Sequence, residues 1–331
     1  MNPRLKKALW LLLRVAVSLL LFAILFREPG LKSRLAARLH DMGDHLEWVL
    51  AGLGCVLVTI MLMALRWWLV LRPHVPEARP LFLLRTTLVA WFFSVTTLGT
   101  LGGDAWRIIE VQRRFPGHGV SASVSVLVEH AAGLVAALVF LIVTGSLALF
   151  YADASSGGMQ GLFWQLALVM LILSGLMTMA LGSISPPFLR RFGQHTPAPC
   201  RPFVDSASQR MVVILQDGRA LVRAVVVSLA LLTTHFLTFY CGLRAVGGFS
   251  ALLPLFLAMP LVDLAASLPI SVAGLGVREK TFESLMHALI GMPVDLSVSA
   301  SLAGWLLTLT GGLVGGVLFA MGRSRAVERA P

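Results

Sequence analysis

The apolar positions of this chain gather into long runs separated by short polar stretches. Six runs, at about 8–26, 46–71, 119–150, 161–184, 221–243 and 296–321, are long enough for a helix to cross a bilayer, which needs roughly 20 apolar residues. The first follows Arg4, Lys6 and Lys7 like the charged start of a signal peptide. Its apolar run is of spanning length, and "FREPG" offers no small-residue cleavage site, so the pattern predicts a retained first helix.

Two further runs are interrupted. One, 81–101, ends in "LGTLGG"; the other, 249–275, contains Pro254, Pro260, Pro269 and Gly274, with Gly276 just beyond and Asp263 inside. Proline and glycine end or kink helices, and broken backbone at membrane depth is tolerated only where protein or a wet cavity satisfies it. The pattern predicts an all-α polytopic membrane helix bundle, with six full crossings and two re-entrant hairpins.

Basic residues decide between hairpins and crossings, because cytoplasmic loops carry the excess of Lys and Arg. With both interrupted runs re-entrant and the N-terminus inside, 16 basic residues lie inside and 7 outside; with eight crossings the better orientation gives 14 and 9. The re-entrant arrangement puts both termini in the cytoplasm. It also makes residues 1–150 and 161–321 two half-repeats of opposite orientation within one transmembrane domain covering 1–331, with 322–331 as a cytoplasmic tail. "SVTTLGTLGGDAWR" from Ser94 lies over "SLPISVAGLGVREK" from Ser267 without a gap. Paired interrupted segments in corresponding positions point to a transporter's binding site.

Composition agrees with a membrane protein: 57% hydrophobic, 13% charged, mean hydropathy +0.84, against about 25% charged in soluble domains. No polar stretch is long enough for a separate soluble domain. The net charge of +11 reads as arginines facing anionic lipid rather than as a nucleic-acid surface. Cys55 and Cys241 sit in apolar runs and Cys200 in a loop, which suggests no disulfide framework; the eight histidines lack metal-ligand spacing. No metal, cofactor or catalytic residue is expected: there is no serine elbow, metal-binding histidine pair or phosphate loop.

Candidate chemistry lies at the interrupted runs and inside the crossings. In "GGDAWR", Gly102 and Gly103 permit a tight turn, and Asp104 is placed to cap a following helix. That motif reads either as a capped helix with a basic end or as a half-helix whose free amides face an anion, with Arg107 making a forked contact to phosphate. "GLGVRE" repeats the construction, with Arg278 and Glu279 in a first helical turn. Phe282, Leu285, Met286, Leu289 and Ile290 then make one apolar face, so 277–290 reads as an interfacial amphipathic helix. Arg66, Glu129 and Asp263 lie inside apolar runs, where each costs about 2.5–3.5 kcal/mol on insertion scales, and are expected to face the bundle interior and pair. "GGLVGG" at 311–316 reads as a helix-packing face. The proline-rich basic loop 185–219 holds a short amphipathic helix around Phe203–Leu215, suited to anionic lipid.

At these residues the chain resembles the lysylphosphatidylglycerol synthase transmembrane-region family, also called flippase-like membrane proteins. The resemblance covers about 8–321 and rests on "ALRWWLVL", "GTLGGDAWR", "VSVLVEHAAGL" and "SLPISVAGLGVREKTF". It places the family's pattern on Arg66, Gly103, Asp104, Arg107, Glu129, Pro269, Gly274, Gly276, Arg278 and Glu279. Two departures concern the substrate: no proline precedes the glycines of "TTLGTLGG", and His130 stands where an arginine commonly follows the acid. The aminoacyl-transferase domain of fused members is absent from the sequence, so the synthase activity is not implied. The resemblance implies translocation of a phospholipid or lipid-linked head group across a bacterial or archaeal inner membrane, without enzymatic chemistry. Arg66, Asp104, Arg107, Glu129, Arg278 and Glu279 would bind the substrate, and Gly102, Gly103, Pro269, Gly274 and Gly276 would shape the hairpins. Its partners would be the anionic lipid substrate and the bilayer. Two other readings use the same residues: a membrane-embedded head-group transferase, and a scaffold for a separately encoded lipid or glycan transferase.

Overall fold

The computed structural model describes residues 30–96, 99–151, 201–249, 252–268 and 271–327, together with isolated positions of the first and fourth apolar runs. Those two runs, 8–26 and 161–184, and Pro269 otherwise lie outside the described residues. Ten α-helices are bounded among them: α1 (Leu31–His40), α2 (Leu46–Leu71), α3 (Pro80–Thr96), α4 (Thr100–Arg114), α5 (Gly119–Tyr151), α6 (Arg201–Gln216), α7 (Gly218–Ala245), α8 (Leu252–Ser267), α9 (Val277–Ile290) and α10 (Val294–Val327). No strand occurs among the described residues.

Four of these helices are long and apolar enough to cross a membrane: α2, α5, α7 and α10. They coincide with the runs at 46–71, 119–150, 221–243 and 296–321. The centre of the bundle is the antiparallel pair α2 and α7. Trp48 meets Tyr240, Gly52 faces Cys241, the Thr59 and Thr234 hydroxyls share a 2.8 Å hydrogen bond, and Arg66 reaches Ser228. As one helix is followed forward, its partners run backward. Around this pair, α3 packs on α10 and α8 packs on α5 and α9. The largest apolar cluster joins Phe140 of α5, Phe236 and Phe239 of α7, Leu257 of α8, Phe282 and Met286 of α9, and Ala300 and Ala303 of α10.

Each interrupted run folds as a helix, a break and a second helix packed on the first. In the first, Gly103 of α4 lies against the Ala90 carbonyl of α3, where a Cβ would stand 2.7 Å from that oxygen. In the second, Gly274 approaches the Ala266 carbonyl just as closely, at φ +77°, a conformation that side chains resist. Both breaks meet a neighbouring apolar segment. Val95, at the end of α3, abuts Gly312, well inside α10. In the second hairpin, the Val272 amide donates to the Ser18 hydroxyl at 3.1 Å, and Gly276 faces Leu21. Ser18 lies midway along the 8–26 run.

Several details differ from the sequence expectation. The turn of the first hairpin is made at Gly99, φ +64°, and α4 already begins at Thr100. Asp104 therefore caps nothing; it lies inside the helix, as do Gly102 and Gly103. The ungapped repeat alignment pairs Thr100 with Ala273, whereas the second helices begin at Thr100 and Val277, so the hairpins correspond out of that register. Pro254 and Pro260 do not break the second run. Pro254 sits in the first turn of α8, where its missing N–H has no helical partner to lose. Pro260 forfeits only one helical bond, and the break falls after Ser267. Finally, α9 has the expected bounds but is no surface helix: Phe282 and Met286 are fully buried in the central cluster.

The "GGLVGG" face behaves as read. Gly311 meets Val56 and Ile60, Gly312 meets Val95, and Gly315 sits directly on the Leu88 carbonyl. The loop helix is α6, whose Met211 and Ile214 are buried against α5 and α7. It is tied down by Arg210, which donates to the Ser121 hydroxyl, and by His74, whose ring meets the Arg210 carbonyl at 2.9 Å.

Candidate functional site

Charged groups in the apolar interior fall into three sets. The first is built on Glu129, which α5 carries into the space between α2 and α4. Its side chain is 1% exposed and both oxygens are used. Arg66 of α2 donates through Nε to Oε1 at 3.1 Å, and Arg107 of α4 pairs with Oε2. Arg66 also donates to Ser228 of α7 at 3.1 Å. The guanidinium of Arg107 lies over the Trp67 ring, 4.1 Å from its centroid, and that ring is fixed by a 3.1 Å bond from its Nε1 to Ser125. One carboxylate thus binds two permanently charged groups from different helices, an arrangement that repays desolvation only with close, multiple contacts.

Asp104 extends the set. It lies 3.7 Å from Arg107, one turn away on α4, and 2.8 Å from Nε2 of His130 on α5. The chain of contacts runs His130, Asp104, Arg107, Glu129, Arg66, Ser228. Four of the sequence candidates meet here. His130, met in the sequence as a departure from the family pattern, proves to be a partner of Asp104.

The second set belongs to the other hairpin. Glu279 is fully buried. Its Oε2 accepts from the Gly276 amide at 2.6 Å, closing the start of α9, while Oε1 has no partner among the described residues. The guanidinium of Arg278 makes one long contact, Nη2 to the Ala273 carbonyl at 3.4 Å. Its Nε and Nη1 are buried and unpartnered among the described residues. Ala273 holds φ +51°, the one positive φ outside glycine among them. On the same helix Lys280 pairs with Glu283, which the sequence reading did not single out. No hydrogen bond or ion pair joins this set to the Glu129 set among the described residues.

The third set is a pair. Asp263 of α8 lies 3.1 Å from Nε2 of His235 on α7, whose ring contacts Phe239. Asp263 was legible as an acid in an apolar run, but His235 was not singled out; a lone titratable residue inside "LLTTHFLTF" was its only signal.

The two arginine sets differ in what they can do. In the first, Arg66 and Arg107 share the Glu129 carboxylate, with Asp104 beside Arg107 and Ser228 on Arg66, and so tie four helices together. In the second, buried N–H groups of a cation have no acceptor among the described residues, beside a strained hairpin tip, and a buried donor without an acceptor costs about 1–3 kcal/mol or more. Among the described residues no three His, Cys, Asp or Glu side chains come together as a metal site.

The family model described as lysylphosphatidylglycerol synthase TM region matches residues 11–316. No curated protein and no solved structure matches the chain.

Proposed function

The chain belongs to the family of the lysylphosphatidylglycerol synthase TM region, and from that premise we propose that it moves a phospholipid or lipid-linked anionic head group between the leaflets of the membrane. The open guanidinium of Arg278 carries this reading. Its Nε and Nη1, buried and without an acceptor among the described residues, suit a phosphate oxygen pair. Arg66 and Arg107 reach an anion only by giving up Glu129, so they act as a counter-clamp that opens and closes rather than as the resting site.

The path follows from the hairpins. We read α3 with α4, and α8 with α9, as re-entrant elements entering from opposite faces. Two placements support this. Val95 stops against Gly312 inside α10, and the tip at 272–276 meets Ser18 in the middle of the first apolar run. The bases of the two hairpins lie at opposite ends of the α2 and α7 pair: Pro80 follows the end of α2, and Leu252 follows the end of α7. With the unseen first and fourth runs as crossings, this gives six crossings in two inverted halves. The contacts respect the exchange, since α3 on α10 matches α8 on α5 and α4 on α5 matches α9 on α10. The basic ends, with Arg72, Arg79, Arg113 and Arg114, face the cytoplasm. A head group needs such a polar path while its tails stay in lipid. The reading contains no bond-making step, so the protein acts as a transporter and not as an enzyme.

The test is reconstitution into phosphatidylethanolamine and phosphatidylglycerol vesicles containing a fluorescent phosphatidylglycerol, with dithionite reporting head-group exposure. Arg278→Ala is expected to slow exchange by about tenfold or more, the worth of a charge-assisted hydrogen bond. Equal rates for the wild type, Arg278→Ala and Arg107→Ala would remove both arginines from the path.

A further inference from the structure

We propose that His235 and Asp263 form a proton-binding site at mid-membrane depth, the point at which head-group movement, as read above, is coupled to a proton gradient. The pair belongs to neither arginine set. His235 lies ten residues before the end of α7, about 15 Å at 1.5 Å per residue, or half of the roughly 30 Å hydrocarbon thickness. Asp263 sits one turn before the end of α8, close to the hairpin break.

What separates this pair from the other acids is its partner. Glu129 and Asp104 face arginine, whose charge does not change. Among the described residues Asp263 pairs with an imidazole alone, the side chain that gains and loses a proton near neutrality. Among the described residues, the charged groups of the surrounding helices stand elsewhere. On α2, Arg66 is taken by Glu129 and Ser228, and Glu47 lies at the exposed start; on α5, Glu129 and His130 are taken by the arginines and Asp104. On α6, Arg210 is held by Ser121, and Asp205 lies on the same helix. On α9, Arg278 leans on the Ala273 carbonyl, Glu279 on the Gly276 amide, Lys280 on Glu283, and His287 on the Met292 carbonyl. From Leu296 to Gly322, α10 has no charged residue. The Cys55 and Cys241 thiols adjoin each other between α2 and α7.

With one proton bound, the pair is imidazolium and carboxylate, and neutral overall. Loss of that proton leaves imidazole and carboxylate, one net negative charge that the loaded pair does not carry. The side chains are 18% and 29% exposed. Because α8 and α9 are arms of one hairpin, an anion arriving at Arg278 and a proton arriving at Asp263 load the same element. The charge balance is one proton for each negative charge carried.

The experiment uses the same vesicles, with pyranine inside and a gradient of one pH unit, acid outside. For the wild type we expect the initial rate of fluorescent phosphatidylglycerol movement to rise severalfold with the gradient and the lumen to acidify. In His235→Gln and Asp263→Asn both effects are expected to vanish, while gradient-independent movement persists. Wild-type movement that ignores the gradient, with a silent pyranine signal, would overturn the proposal and leave the transporter reading standing. If no lipid moves in any protein, the transporter reading fails. The proton site then stands on pyranine alone: acidification that requires both residues supports it, and its absence removes it.

Discussion

Arg107 lies over Trp67, its guanidinium carbon 4.1 Å from the ring centroid, and pairs with Glu129. The contact explains how a charge 2% exposed is kept inside the bundle. The ring face attracts the cation, the carboxylate neutralises it, and Ser125 prevents the indole from turning away.

Glu129→Gln keeps the shape and removes the charge, leaving Arg66 buried without a carboxylate and Arg107 with only Asp104, 3.7 Å away. Breaking a buried pair in this way costs about 3–5 kcal/mol. Trp67→Leu should cost less in electrostatics, about 1–2 kcal/mol beyond lost packing. Unfolding of the purified protein in detergent measures both. A Glu129→Gln variant as stable as the wild type would show that the two arginines find other partners.

Glycine spacing on α10 gives a second prediction. Gly315 rests on the Leu88 carbonyl so closely that no side chain fits, whereas Gly54 on α2 has nothing within 4 Å of where a Cβ would stand. Gly315→Ala must push α3 away from α10, at about 1–3 kcal/mol. Gly54→Ala should leave stability unchanged or raise it by up to about 1 kcal/mol, since glycine is the poorer helix former. Thermal unfolding of the two variants side by side provides the comparison.

Much of this architecture could be read from the sequence because bilayer thickness fixes the length of a crossing. The bounds of α2 and α5 followed from counting apolar residues, and those of α9 from the glycines before it and the face after it. The start of α4 did not follow. Four turn-prone residues, Gly99, Thr100, Gly102 and Gly103, compete for one turn, and only the packing of Gly103 on Ala90 selects Gly99. Pairing was legible in kind but not in partner. Arg66, Glu129 and Asp263 had to be neutralised, yet helix contacts far apart in sequence decided that Arg66 goes to Glu129 and Asp263 to His235. The openness of Arg278 had no sequence signal at all, because it depends on what the hairpin tip leaves uncovered.

Acid should loosen α6. His74, in the turn after α2, takes a proton less readily than its ordinary value of 6.5 implies: burial disfavours the charged ring and outweighs the bond to the Arg210 carbonyl. The unfolded chain therefore binds the proton first. The stability held above about pH 6.5 declines as pH falls through the lower folded value, and levels off below it. Melting curves from pH 7.5 to 5 should show this slope, and His74→Gln should flatten it. A slope unchanged by the substitution would assign the acid sensitivity elsewhere.

The proposed opposition of the two hairpins makes a prediction about sidedness that does not depend on transport. Arg114 closes the base of the first hairpin and Ala288 lies near the base of the second, and both are exposed. Arg114 ends α4 on the side where α2 ends and α5 begins; Ala288 precedes α10 on the side where α7 ends. Cysteines introduced as Arg114→Cys and Ala288→Cys, in a chain with Cys55, Cys200 and Cys241 changed to serine, should be labelled by a membrane-impermeant maleimide from different compartments. The first should react only in inside-out vesicles and the second only in intact cells. Were the interrupted runs full crossings, the chain between these positions would pass the membrane a different number of times. Both sites would then be open to one compartment, and the two arginine sets would no longer stand at the ends of a single path.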